Sequence, residues 1–357
     1  MEKRLITFAK RLRQARIKAQ LSMGALSEKM DDIVSKQAIS KYEQAKMMPN
    51  STILIAMANA LDVTIDYFFR PFTFELDEFK VSFRKKSSSK ASEEKALKVQ
   101  IQDEVERYLE TEEILQVESP SLDVFQLPTL STTKDMIECA WKVRQSWELG
   151  RAPITNVMEL LERHGVKVLM TEASEDFDGV SGIVNDIHPI IVLNSSQRNI
   201  ERRRLTSLHE LAHLLFNHDF DQNLTQHQKE NLCNDFASEM LLPGSILTET
   251  FAGKDKISFT ELIALDKTYG ISVDAIIYKL HNMGIVGDKR HRNYCIRKNM
   301  DQSFKKYVEG PYYQEESTLR FQTMVYDALS KQLISISKAA SLLHVSVNEV
   351  RKHSDTI

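Results

Sequence analysis

The stretch Arg204-Leu-Thr-Ser-Leu-His209-Glu210-Leu-Ala-His213-Leu-Leu-Phe216 leaves the chain few conformations. Leu205, Leu208, Leu211, Ala212, Leu214, Leu215 and Phe216 recur at helical spacing, so a helix buried in a core is expected here. Residues four apart lie one turn above each other, and His209 and His213 then present two imidazoles to one ion. Glu210 is placed to be the general base for a water that the ion has made acidic. Two incidental core histidines are the competing reading, and so regular an apolar body argues against it.

A tetrahedral zinc that does chemistry needs a third protein ligand and one open position. A second helix is expected over Glu230-Asn-Leu-Cys-Asn234-Asp235-Phe-Ala-Ser-Glu-Met-Leu-Leu-Pro243, with Phe236, Ala237, Met240 and Leu241 as its apolar stripe and Pro243 ending it. Glu230 is the preferred third ligand. Asp235, Glu239 and His227 compete with it, while His218 and His227 in the polar loop read better as solvated. Asn234, one turn beyond Glu230, is placed to hydrogen-bond a ligand imidazole from behind and fix its tautomer. The same donors also bind manganese or iron, so zinc is the first expectation among three.

These residues, Arg204-x-Thr206-x-x-His209-Glu210-x-x-His213, then Glu230-x-x-Cys233-Asn234-x-Phe236-Ala237 and Leu241-Leu242-Pro243, resemble the ImmA/IrrE family of regulatory metallopeptidases. Arg144, Trp147, Leu149-Gly150, Pro153-Ile154, Gly165-Val166 and Asp178-Gly179-Val-Ser181 resemble the segments that precede the metal helix in that family. Leu205, Cys233 and Ala212 stand where the family usually carries Phe, Ala and Gly, and none of these changes removes a ligand. The resemblance implies a zincin-like peptidase domain with zinc on His209, His213 and Glu230 and with Glu210 as catalytic base. Asn234, Arg204 and Thr206 would support the ligands, and Arg204 and the loop histidines are candidate oxyanion partners. It further implies a narrow target and activation by a stress or phage-related signal.

Charge divides the chain. Residues 1 to 70 hold 12 Lys+Arg and 7 Asp+Glu, a net of +5, so the remainder carries −8 to reach the total of −3. A basic head on an acidic body suggests that the head meets phosphate. Within it an amphipathic helix is expected over residues 5 to 19, a second from Leu21-Ser22 to Met30, a third from Ser35, a fourth from Pro49-Asn-Ser51 to Leu61 and a short fifth over Asp62 to Phe69. Leu21-Ser22, Leu26, Ser35-x-Gln37-x-Ile39-Ser40-x-Tyr42-Glu43, Pro49 and Ala58-x-Ala60-Leu61-x-Val63 resemble the Xre-type helix-turn-helix domain, related to the lambda-repressor and Cro proteins. The resemblance implies a helix in the major groove, with Ser35, Lys36, Gln37, Ser40 and Lys41 as DNA contacts and Gln37 suited to adenine. The turn before Ser35 is about two residues longer than usual, and Ala45 stands where glycine is common.

Short strands are expected from Phe72 to Phe83, a basic serine-rich hinge from Arg84, and a long charged helix over Ala91 to Leu115 with Leu97, Ile101, Val105, Tyr108 and Leu109 as a narrow apolar seam. Helices are expected over residues 130 to 150 and Ile154 to His164. Val166 to Met170 and Ile190 to Leu193 read as neighbouring strands, with Asp178-Gly179 turning between them. Two later helical stretches, Phe259 to Met283 and Leu319 to Arg351, have helix-turn-helix rhythm but no concentrated basic face, which favours a structural or partner-binding role.

The expected fold class is mainly α with a small sheet (α+β): a five-helix DNA-binding domain at 1–71, a strand and linker-helix region at 72–125, a metallopeptidase domain at 126–250 and a helical C-terminal region at 251–357. No segment has the length of a transmembrane helix and the start lacks a signal peptide, so a cytoplasmic protein is expected. Cys139, Cys233 and Cys295, odd in number and without a CxxC, read as buried spectator thiols. The expected function is a DNA-binding regulator, a homodimer on a double-stranded operator, whose zinc peptidase cleaves a repressor or itself. The alternative is a repressor whose metallopeptidase-like fold serves only as a sensor or docking module.

Overall fold

The computed structural model describes residues 2–73, 91–117, 120–122, 125, 129–197, 199–254, 256–310, 312 and 316–354. In chain order the elements are α1 (Glu2–Lys18), α2 (Met23–Lys29), α3 (Lys36–Glu43), α4 (Ser51–Leu61), a 3-10 helix (Ile65–Phe69), α5 (Ala91–Leu115), α6 (Thr133–Ser146), α7 (Val157–Arg163), β1 (Lys167–Thr171), β2 (Gly179–Val184), β3 (His188–Asn194), α8 (Ile200–Phe216) and α9 (Gln226–Leu241). They continue with α10 (Gly244–Phe251), α11 (Phe259–Tyr269), α12 (Val273–Asn282), α13 (Asp288–Met300), α14 (Gln302–Val308), α15 (Arg320–Ser330), α16 (Ile336–Leu343) and α17 (Val347–Ser354). This is the mainly helical class expected, with five helical segments at the N-terminus, the last of them 3-10. The strands expected between Phe72 and Phe83 and the hinge from Arg84 fall almost entirely outside the described residues. Among the described residues no helix is long and apolar enough to cross a membrane.

The elements divide into two units. The first combines α1 to α5 with α15 to α17. Its head closes on Phe8, Leu12, Leu26, Ile39, Tyr42, Met57, Leu61 and Phe68. Side-chain caps start the helices: Ser22 accepts from the Ala25 amide, Ser35 from Ala38 and Asn50 from Ile53. The long turn before α3 takes Asp31 and Asp32 through positive φ, 53° and 54°, while the buried Ser27 hydroxyl donates to Val34 O at 2.7 Å and ties the turn down. At the end of α3, Ala45 sits at φ 56°, with Lys46 N bonded to Lys41 O and Ala45 N to Tyr42 O. That is a Schellman closure, whose left-handed residue is normally glycine because a Cβ is strained there. Ala45→Gly is therefore expected to stabilise the head by about 0.5–1 kcal/mol in denaturant unfolding, and a destabilised variant would refute that account.

The long helix α5 departs from the narrow seam expected. Ile101, Val105 and Tyr108 are buried as anticipated, but so are Asp103 and Glu106. The reason is opposite charge from the head: Arg11 pairs with Glu106 at 2.7 Å, Lys18 with Asp103 at 3.0 Å, and Arg70 with both acids. Burial alone would raise the Asp103 carboxyl, yet the His344 hydrogen bond and the charges of Lys18, Arg70 and Arg107 hold it well below the usual carboxylate range. The last three helices enclose Val325, Ala339, Leu342 and Val350 and pack on α5, where Arg320 reaches Tyr108 and Glu112. Of the stretch expected as one C-terminal region, α15 to α17 group with the head and α11 to α14 with the second unit.

In that second unit β3 is central, parallel to β1 and antiparallel to β2. β1 and β3 are neighbours as expected, but Gly179 opens a strand instead of a turn. A Cβ at Gly179 would lie 2.9 Å from the Thr206 methyl and 3.1 Å from Leu193, so the glycine is what lets α8 lie close on the sheet. Two fully buried arginines fasten the loops around this core. Arg144 donates to the carbonyls of Gly150, Ala152 and Met240. Arg204 donates to those of Ile154, Thr155, Tyr269 and Gly270 and pairs with Glu316 at 2.5 Å.

Candidate metal centre and nucleic-acid interface

The helices α8 and α9 lie side by side with Leu208, Leu211, Leu232, Phe236 and Met240 inside the unit's core. Their packing brings one face of each into register. The Nε2 atoms of His209 and His213 are 3.1 Å apart, and the Glu230 carboxylate lies 3.2 Å from the first and 3.5 Å from the second. Zinc bonds of about 2.0–2.1 Å in tetrahedral array would place ligand atoms about 3.3 Å apart, so the three residues fit a single ion. His209 is almost wholly enclosed, whereas the side chains of His213 and Glu230 are each 19% exposed, which leaves one side open.

The partners behind the donors are specific. Asn234 Oδ1 lies 2.7 Å from His209 Nδ1, as the spacing from Glu230 led one to expect. With that nitrogen protonated and donating, Nε2 is left as the unprotonated nitrogen that a metal ion would need. Gln226 donates to Glu230 Oε1 at 2.7 Å and steadies the carboxylate. Glu210 accepts a hydrogen bond of 2.8 Å from Ser181 Oγ on β2. Ser181 entered the sequence reading only as part of the family resemblance. Its position on an edge strand facing α8 could not be read from spacing.

Cys233 is more than the spectator expected. Its Sγ lies 3.7 Å from His213 Nδ1, and with His209 and His213 it forms a second donor set whose atoms all lie within 4.8 Å of one another. The sulfur addresses the other ring nitrogen of His213, however, whereas Glu230 meets both Nε2 atoms. The competing ligands are engaged elsewhere. Asp235 accepts from Thr133 Oγ1 at 2.8 Å, and burial raises its carboxyl. Glu239 pairs with Lys279 at 2.5 Å and accepts the Gly244 amide. His218 and His227 are exposed, and His227 meets Asn231.

Arg204 needs correction as an oxyanion partner. Its five N–H groups are all donated, four to carbonyls and one to Glu316, so none remains for a reacting oxygen. Thr206 packs its methyl against the sheet at Gly179.

In the head, α3 turns Ile39 and Tyr42 into the core and leaves Lys36, Gln37 and Lys41 exposed. The Ser35 hydroxyl caps the helix, accepting from Ala38 N at 3.3 Å, and Ser40 Oγ accepts from Gln44 at 3.0 Å. Glu43 is turned away from this surface into a two-bond pair with Arg16, at 2.6 and 2.8 Å. One exposed face therefore carries an amide between two ammonium groups.

Two stretches of the chain match known families. Residues 12–68 match the helix-turn-helix family model, and residues 161–281 match the model of the IrrE N-terminal-like domain. A search of curated proteins finds no significant match.

Proposed function

From a chain that joins a helix-turn-helix DNA-binding domain to an IrrE N-terminal-like, metallopeptidase-like domain, we propose a transcriptional regulator that carries its own proteolytic switch: a homodimer on a double-stranded operator whose zinc-dependent body cuts one specific protein, a repressor or a copy of itself, when a stress or phage-related signal arrives. The observation that supports this most is the convergence of the His209 and His213 Nε2 atoms with Glu230, beside a Glu210 oriented by Ser181. A closed structural site would call for a fourth protein ligand and no base.

His209, His213 and Glu230 would hold the ion, which when bound supplies polarisation of a peptide carbonyl and acidification of a water. Glu210 takes the proton on its carboxylate and hands it to the departing amine nitrogen. Ser181 keeps one Glu210 oxygen in place. Asn234 fixes the His209 tautomer. The strand β2, hydrogen-bonded only to β3 within the sheet, offers a backbone edge along which an extended peptide would align.

In the head, α3 enters the major groove. Gln37 pairs with adenine N6 and N7, while Lys36 and Lys41 sit against bases or phosphates and set the register. Gln37→Ala together with Lys41→Ala is expected to weaken binding to the region upstream of its own gene by about 2–4 kcal/mol in a fluorescence-anisotropy titration. Unchanged affinity would remove α3 from the interface. For the peptidase, zinc-loaded protein is incubated with itself and with the products of neighbouring genes. A fragment formed by wild type and missing with Glu210→Gln supports the reading. If no protein is cut by wild type and spared by the variant, a non-proteolytic docking module takes its place.

A further inference from the structure

A cleft of about 540 Å³ opens beside the first turns of α8 and α12 and the last turn of α11. Leu205, Ile271, Val273 and Val308 form its apolar lining, and its charged residues are Glu201, Arg202, Asp266, Asp274, Lys298 and Glu309. Both cations are already committed: Arg202 pairs with Asp178 at 2.7 Å, and Lys298 with Asp274 and with Glu309 at 2.6 Å. Two carboxylates of the wall take part in none of these pairs, Glu201 at 8% and Asp266 at 4% exposure. Asp266 Oδ1 is buried with no hydrogen-bond partner among the described residues. The buried Arg204 has no donor left to give it.

Burying ionised oxygens without a partner is costly, and folded proteins keep such groups where something else completes them. The helix N-termini that border the cleft would favour an anion, but each already has its own carboxylate, Glu201 on α8 and Asp274 on α12. What the wall lacks is a positive donor. The volume lies in the range of small-molecule sites, and an apolar lining with a few convergent polar groups is their usual composition.

We propose that this cleft binds a small organic cation, a primary ammonium or guanidinium on a short apolar stem, whose N–H groups are received by Asp266 Oδ1 and Glu201 while the stem lies against Ile271, Val273 and Val308. The site is separate from the metal centre and does not depend on proteolysis. It gives the metallopeptidase-like body a ligand input of its own, on the helix that also carries His209 and His213.

Burial, and then the neighbouring Glu201 charge, push the Asp266 carboxyl up to about 7 against the opposing charge of Lys267. Burial likewise raises Glu201, against Arg204. Arg202, Lys298, Asp274 and Glu309 surround the pair, together with Tyr294 and Tyr312, both pushed up by burial. An organic cation pairs with ionised Asp266, so affinity should rise about ten-fold between pH 6 and pH 8 as that carboxyl loses its proton, the alkylammonium staying charged throughout.

The test is calorimetric titration of the full-length chain with n-butylammonium and n-butylguanidinium, with n-butanol as the uncharged control. Saturable binding of one cation but not of butanol, tightening with pH, is expected. Asp266→Asn should weaken it at least ten-fold, and Glu201→Gln serves as the second variant should the first fail to fold. Glu230→Ala should bind as wild type does, which separates this site from an amine that coordinates the metal. Equal behaviour of butanol, no effect of either carboxylate variant, or loss of binding in Glu230→Ala would each overturn the proposal.

Discussion

Replacing Glu230 with alanine is expected to empty the metal site of a protein that otherwise stays folded. Elemental analysis should find close to one zinc per wild-type chain and per Glu210→Gln chain, and little in Glu230→Ala. The argument is one of donors. Removing a group that merely orients a ligand costs about 10- to 100-fold in metal affinity, and removing a ligand from a three-donor site should cost more. Asp235→Ala, whose carboxylate bonds to Thr133, should retain its metal. Cys233 supplies the sharpest control, because its sulfur belongs to the other donor set. If Cys233→Ala emptied the site and Glu230→Ala did not, the ion would be held by His209, His213 and Cys233, and the assignment of Glu230 would fall.

The second large effect is expected from Arg204, through stability. Arg204→Met removes five hydrogen bonds and leaves the Glu316 carboxylate fully buried, with the neutral amides of Met158 and Val157 to offset its charge. Burial already raises Glu316 despite Arg204. Breaking a buried pair in this way costs about 3–5 kcal/mol, which for a unit of this size is a fall in Tm on the order of 10 °C. The double variant Arg204→Met, Glu316→Gln should recover part of the loss, since the stranded charge is gone. A loss under about 1 kcal/mol in the single variant would mean that water reaches Glu316.

Asp266 adds a pH test of stability itself. Its folded carboxyl titrates at about 7, above the unfolded value, so the folded chain holds a proton that the unfolded chain releases near pH 4. That contribution is complete below about pH 4 and is lost as pH rises through about 7. Asp266→Asn should therefore be more stable than wild type at pH 8, with the difference gone at pH 4, in denaturant melts of ligand-free protein.

Much of this was legible in the chain because the signals were local. The spacing of His209 and His213 is a property of one helix, and that from Glu230 to Asn234 of the next. Apolar runs such as Ile190 to Leu193 can form only buried structure. What escaped was what depends on a distant partner. Asp178-Gly179 read as a turn where β2 begins, because glycine is usually a breaker and the Thr206 methyl that requires Gly179 is remote in sequence. Arg204 resembled a site residue until its partner appeared 112 residues later at Glu316. The seam expected on α5 left out Asp103 and Glu106, since the arginines that bury them lie outside that helix. Glu201 and Asp266 carry no motif at all, and only folding brings them to one cleft.

The acids of α5 also change how the head should respond to ionic strength. Protein binding to duplex DNA releases condensed counterions, and the logarithm of the affinity falls with the logarithm of salt with a slope of about −0.9 per phosphate neutralised. Twelve Lys and Arg lie in residues 1 to 70. Arg11, Lys18 and Arg70 are held by Asp103 and Glu106, and Arg16 by Glu43, which leaves at most eight for phosphate. One docked head should then show a slope no steeper than about −7. A head freed from α5 regains three cations, and its limit steepens to about −10. A salt titration of operator binding thereby reports whether the head still rests on its linker helix.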